Sequence, residues 1–208
     1  MKYFSEVLTV AAELHNGDLR KDGKTPYIFH PMRVAMAVHE CVGDTTYAGN
    51  YLESIVYAAL LHDTVEDGCT NLNMLQSTLI CRLGAGKKEF DYDEIVSIAT
   101  YTVNLVMALT RIKRADSNYE NINKFYYKQV TTAGYPAILV KLYDVRDNLN
   151  DMSGLSLHFK KLYINKVEGM LEEFCNYMIV HEDSPLRVEV FNRYNEVKSM
   201  TIELSYDL

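Results

Sequence analysis

The stretch "LESIVYAALLHDTVEDG", Leu52 to Gly68, decides how the chain folds. Leu52, Ile55, Val56, Ala59 and Leu60 recur at the three- and four-residue steps of a helix with one buried face. That face leads straight into four ionisable side chains, His62, Asp63, Glu66 and Asp67. Charged groups beside a core are costly unless they are paired or hold a metal. The helix therefore either surfaces at His62 or delivers these groups to a site.

Working outward, the rest of the pattern is also helical. Residues 4–15 read as a first helix stopped by Asn16-Gly17, and Pro31 suits the opening turn of a second that runs to Cys41. Further helices are expected over 72–83 and from Asp91, where Asp91 and Glu94 are spaced like a capping box. The charged stretch 111–123 predicts a loop and the start of another helix. Gly134 then breaks the chain before Pro136 opens a run through Leu149. A long helix follows with Ile164, Val167, Leu171, Phe174 and Met178 on one side. The expectation is an all-α helical bundle forming a single domain over 1–208, with its core over about 4–180. In the extension 185–208, Met200, Ile202, Leu204 and Tyr206 alternate with polar residues, and with 187–191 they predict a small C-terminal β-hairpin. The edge of such a strand would offer a second copy a pairing surface, a route to a homo-oligomer.

Composition narrows the function classes. With 208 residues, 48% of them apolar, the chain can bury a core without staples. A net charge of −7 argues against a nucleic-acid surface, which carries a basic excess. It leaves room for a small anionic ligand at a locally basic site. Cys41, Cys69, Cys81 and Cys175 form no C-x-x-C pair, so a zinc-thiolate or redox motif is not expected and reduced thiols are. No segment has the run of about 20 apolar residues that a membrane helix needs, and no signal peptide is read, so the expected location is the cytoplasm.

Adjacent His62 and Asp63 can both reach one ion, but two protein ligands are too few. His30, before Pro31, and Asp144, inside the apolar run from Ile138 to Leu142, are the candidates to complete the set. His39, His158 and His181 read as ordinary surface or core histidines. Two histidines and two carboxylates suit a borderline divalent ion such as manganese, iron or zinc. Glu66 and Asp67 follow four residues after His62 and Asp63, beside them on a helix surface. There they could orient water or shuttle a proton.

Three ordered blocks carry a family resemblance: "HNGDLRKDGKTPYIFHP" (15–31), "AALLHDTVEDG" (58–68) and "VKLYDVRDNL" (140–149). Over about residues 4–151 the chain resembles the HD phosphohydrolase superfamily, in its RelA/SpoT-type alarmone hydrolase branch. The resemblance implies an HD-domain helical bundle that holds manganese through His30, His62, Asp63 and Asp144. It makes Glu66 and Asp67 the catalytic pair and brings Arg20, Lys21 and Asn148 to the nucleotide; in the mechanism expected from these residues, Arg20, Lys21 and Lys141 counter phosphate charge. The implied reaction removes the 3′-pyrophosphate of ppGpp or pppGpp, leaving GDP or GTP. A chain of this length reads as a small hydrolase without a synthetase domain.

Three departures bear on the substrate and leave the ligand set intact. Gly23 to Tyr27 has one residue more than the family spacing, Asp18 replaces a glutamine, and D-R-x-H-N reads Asp144-Val145-Arg146-Asp147-Asn148. Two alternatives follow: an HD hydrolase acting on an adenosine alarmone, a deoxynucleotide or a phosphorylated dinucleotide, and an inactive nucleotide-binding HD domain.

Overall fold

The computed structural model describes residues 1–43, 49–85, 91–112 and 119–206. Among these are nine helices and no strand beyond an isolated bridge between Leu19 and Pro26. The described chain divides into two compact units, Met1–Thr110 and Arg111–Leu208.

The first unit holds α1 (Phe4–Leu14), α2 (Phe29–Val42), α3 (Gly49–Leu61), α4 (Leu72–Gly84) and α5 (Tyr92–Leu109). Helix α3 is its axis and packs on α1, α2 and α5, while α4 closes on α1 and α5. Every residue from Ile55 to Leu61 is buried, so the end of α3 has little freedom to move. The expected starts hold. Pro31 lies in the first turn of α2, and the Asp91 carboxylate accepts from the Glu94 amide at the start of α5.

Helix α3 stops earlier than the sequence pattern predicts, at Leu61 instead of Asp67-Gly68. Thr64 is the local cause. Its hydroxyl donates to the Leu61 carbonyl at 2.7 Å, and its amide bonds the same carbonyl at 3.1 Å. The chain then runs through turns from 62 to 68 and leaves at Gly68, whose φ of +79° suits a residue without a Cβ. One helical-type bond survives, from the Asp67 amide to the Asp63 carbonyl at 2.9 Å.

The second unit holds α6 (Tyr119–Thr132), α7 (Tyr135–Asn150), α8 (Leu157–Val180) and α9 (Arg187–Tyr206). Helix α7 packs on α6 and α9, and α8 covers the same two. Gly134, at φ +84°, makes the break before Pro136. The loop expected ahead of α6 falls mostly on 113–118, outside the described residues.

The predicted C-terminal hairpin is not there, because 187–206 is helix α9. Its buried residues, Val190, Tyr194, Val197 and Thr201, step by four, three and four, which is a helical stripe. The alternating set turns outward instead, with Ile202 44% and Tyr206 84% exposed. Arg146 on α7 donates to Glu196 at 2.5 Å, and Arg193 donates to the Tyr143 hydroxyl at 2.8 Å, tying α9 along α7. The strand-edge route to an oligomer goes with the hairpin. Among the described residues no helix is long and apolar enough to cross a membrane.

Candidate metal centre

Three of the expected ligands meet in the first unit. His30 enters from the first turn of α2 and is fully buried; His62 and Asp63 follow the last residue of α3. The Asp63 Oδ2 lies 3.0 Å from His62 Nε2 and 3.5 Å from His30 Nε2. Donors 2.0–2.2 Å from a shared ion stand about 3.0–3.5 Å from one another, so these separations fit a common ion. They do not choose the metal.

The surrounding hydrogen bonds orient the donors. His62 Nδ1 is 2.8 Å from the Ala59 carbonyl, which can only accept, so Nδ1 carries a proton and Nε2, the atom that faces Asp63, is the nitrogen that could ligate an ion. Tyr27 donates its hydroxyl to Asp63 Oδ2 at 2.6 Å. The Tyr27 ring also meets His30 edge-on, with centroids 5.8 Å apart, and lies 4.8 Å from His15. Sequence reasoning missed this role for Tyr27. Its one signal was the place of the tyrosine three residues ahead of His30.

Glu66 and Asp67 stand on the turn beyond these ligands. Asp67 is reachable by solvent, yet the protein crowding its carboxyl, and after that the negative charge of Asp63, push its pKa up. A carboxyl held beside this His-Asp cluster and inclined to take a proton is suited to acid–base work.

The loop from 15 to 28 is more ordered than its polar composition suggests. Arg20 is 6% exposed, with its guanidinium 5.7 Å from the centre of the Tyr27 ring, whereas Lys21 is exposed. Asp22 closes the loop: its carboxylate accepts from the amides of Lys24 and Thr25 and from the Thr25 hydroxyl. These bonds hold its pKa down to about 2. Gly23, at φ +68°, lies inside this turn, which takes up the additional residue in the segment Gly23 to Tyr27.

In the second unit, Asp144 is buried on α7. Lys141, one turn before, donates to Oδ2 at 2.6 Å, and Asn148, one turn after, donates to Oδ1 at 2.6 Å. Burial works to deprotonate Lys141, but Asp144 and then Tyr126 outweigh it and keep the ammonium charged. Lys141 and Asn148, read from sequence as substrate contacts, thus have their polar ends on Asp144. Arg146, displaced from the family position, is held by Glu196.

No protein-family model matches the chain. A solved structure described as a metazoan ortholog of SpoT that hydrolyzes ppGpp and plays a role in starvation responses matches with a TM-score of 0.61 and 20% identity, over 93% of this chain and 94% of the other. The Aquifex aeolicus protein named guanosine-3′,5′-bis(diphosphate) 3′-pyrophosphohydrolase is 30% identical over 198 residues, which cover 94% of this chain and 23% of that protein. The Xenopus tropicalis protein named guanosine-3′,5′-bis(diphosphate) 3′-pyrophosphohydrolase MESH1 is 43% identical over 72 residues, 34% of this chain and 37% of the relative. The chain thus spans less than two thirds of the curated relatives it matches.

The helical fold is that of the solved metazoan SpoT ortholog, and here it places a His-Asp pair directly after a buried helix. In sequence the chain is similar to proteins named guanosine-3′,5′-bis(diphosphate) 3′-pyrophosphohydrolase, among them MESH1.

Proposed function

We propose that the protein hydrolyses the 3′-pyrophosphate of ppGpp and pppGpp, releasing GDP or GTP and pyrophosphate. The observation that carries the reading is the convergence of His30, His62 and Asp63, with Tyr27 and the Ala59 carbonyl orienting them. Asp144 would be the fourth ligand, on the order of the three sequence blocks, with 1–208 acting as one catalytic domain. Manganese is the proposed ion, and the coarser statement, a divalent ion, fits the mixed nitrogen and oxygen donors.

A divalent ion held there supplies Lewis acidity and lowers the pKa of a bound water towards neutrality. Glu66 and Asp67 orient the attacking water and take its proton as it adds to the phosphorus next to the 3′-oxygen. The 3′-oxygen leaves with the nucleoside and takes up a proton. Lys21 and Arg20 hold the nucleotide end of the substrate. Arg20 offers a planar cation against the Tyr27 ring, a geometry that also suits stacking on a base. Lys141 and Asn148 contribute by fixing Asp144. The cytoplasm, where nucleotides are met, is the proposed location.

One group of observations favours a second substrate. Asp18, Val145 and Asp147 stand where the family pattern has Gln, Arg and His, and Arg146, displaced by one residue, pairs with Glu196, so an adenosine alarmone, a deoxynucleotide or a phosphorylated dinucleotide is the competing substrate. A panel of these with manganese and the purified chain, products resolved by chromatography, separates the readings. Activity on 3′-pyrophosphates alone supports the proposal. Activity on deoxynucleotides alone replaces it with the second, and tight ppGpp binding without turnover indicates an inactive domain.

A further inference from the structure

We propose that His15, Asp18 and Cys69 form a second cation site in the first unit, suited to a thiophilic divalent ion such as zinc. The three residues come from two places in the chain. His15 follows the last residue of α1, Asp18 sits in the turn after it, and Cys69 comes just after the Gly68 bend that ends the turn beyond α3. His15 is buried, Cys69 half-buried, and the Asp18 side chain 51% exposed.

The geometry points to an ion more than to hydrogen bonds. His15 Nδ1 is 3.3 Å from Asp18 Oδ2 and 3.7 Å from Cys69 Sγ. One donor atom of each residue lies within 4.8 Å of the others. A charge-assisted imidazole–carboxylate bond is normally shorter, about 2.7–2.9 Å. For tetrahedral zinc, with ligands at about 2.0–2.2 Å for nitrogen and oxygen and 2.3 Å for sulfur, the N···O edge is about 3.3–3.5 Å and the N···S edge about 3.6 Å. Both observed separations match those edges. One carboxylate and one thiolate would also neutralise the two charges of the ion, and the exposed Asp18 leaves it a route in from solvent.

The site is distinct from the first in chemistry and in residues. His30, His62 and Asp63 offer only nitrogen and oxygen, whereas Cys69 brings the soft donor that zinc or cobalt selects over manganese. Tyr27 stands between them, its ring against His15 and its hydroxyl on Asp63. Sequence spacing could not reveal the cluster, because Cys69 is 54 residues from His15 and belongs to no C-x-x-C pair.

The test is spectroscopic and independent of any nucleotide reaction. The full chain is titrated with cobalt(II), and the thiolate-to-cobalt charge-transfer absorption in the near ultraviolet is followed. The first site has no sulfur ligand, so this band reports the second site alone. The expected result is a band in the wild type that zinc displaces, that survives in Cys81→Ser, and that disappears in Cys69→Ser while the far-ultraviolet circular dichroism stays unchanged. Asp18→Asn should weaken cobalt binding without abolishing the band. Absence of the band in the wild type, or its persistence in Cys69→Ser, would overturn the proposal. Pyrophosphate release, present or absent, does not enter either outcome.

Discussion

Replacing Tyr27 by phenylalanine removes one atom from the account and leaves the rest in place. The lost hydroxyl donates to Asp63 Oδ2 at 2.6 Å, on the oxygen that faces both histidines. A carboxylate oxygen has two lone-pair directions; occupying one with a fixed donor holds the carboxylate in the rotamer that turns it toward His30 and His62, where it would serve as a ligand. A hydrogen bond to a charged group contributes about 1.5–3 kcal/mol, which at about 1.4 kcal/mol per decade is roughly tenfold or more in affinity. Supporting residues around metal ligands typically change affinity by about 10–100-fold, the same range. The Asp63 side chain is 19% exposed, and water can partly replace the phenol, so the expectation lies near the lower end, about tenfold weaker manganese binding. Phenylalanine keeps the ring beside His15 and His30, so the fold should hold. Titration of free manganese by electron paramagnetic resonance gives the affinity directly, with circular dichroism as the folding control. Tyr27→Phe that folds and binds manganese as tightly as the wild type would refute the assignment of Tyr27 as the residue that orients Asp63.

Glu66→Gln and Asp67→Asn should each lower manganese-dependent pyrophosphate release by about 10²–10⁴-fold while leaving manganese affinity within a few-fold, as steady-state kinetics with a parallel binding titration would show. Asp22 has its pKa held at about 2, below its ordinary 3.8, by its bonds to Thr25 and Lys24. Its support of the loop is therefore fully present above about pH 4 and is lost as the pH falls through 2. The Lys24 and Thr25 amide resonances should titrate with a midpoint near 2, and a midpoint near 4 would contradict the capping role. Lys198→Pro places proline inside α9, at an exposed position, and should cost about 3 kcal/mol or more in chemical denaturation. Had 192–198 been the connection of a hairpin, the same change would be tolerated.

What could be read from sequence was what rests on local periodicity and on residue types with few uses. The stripe on α3 predicted its buried face, and the His62-Asp63 pair at its end pointed to the residues that cluster with His30. The tail was misread because four alternating apolar residues make too short a window to separate a two-residue period from a helical one. The wider window held the answer in Val190, Tyr194, Val197 and Thr201. Tyr27 escaped because a tyrosine in a polar loop has many uses, and only the fold brings its hydroxyl to a carboxylate 36 residues away. Lys141 and Asn148 look like substrate contacts in a motif; that they also bond the Asp144 carboxylate, one turn either side of it on α7, is visible only in the fold.

Manganese-dependent release of pyrophosphate from ppGpp, compared between the wild type and Asp63→Ala, tests the central claim most directly. The account predicts GDP and pyrophosphate in equal amounts from the wild type, dependent on added manganese, and release reduced to background in a folded Asp63→Ala. Wild type that yields no pyrophosphate from ppGpp, or Asp63→Ala that releases it undiminished, would contradict the account.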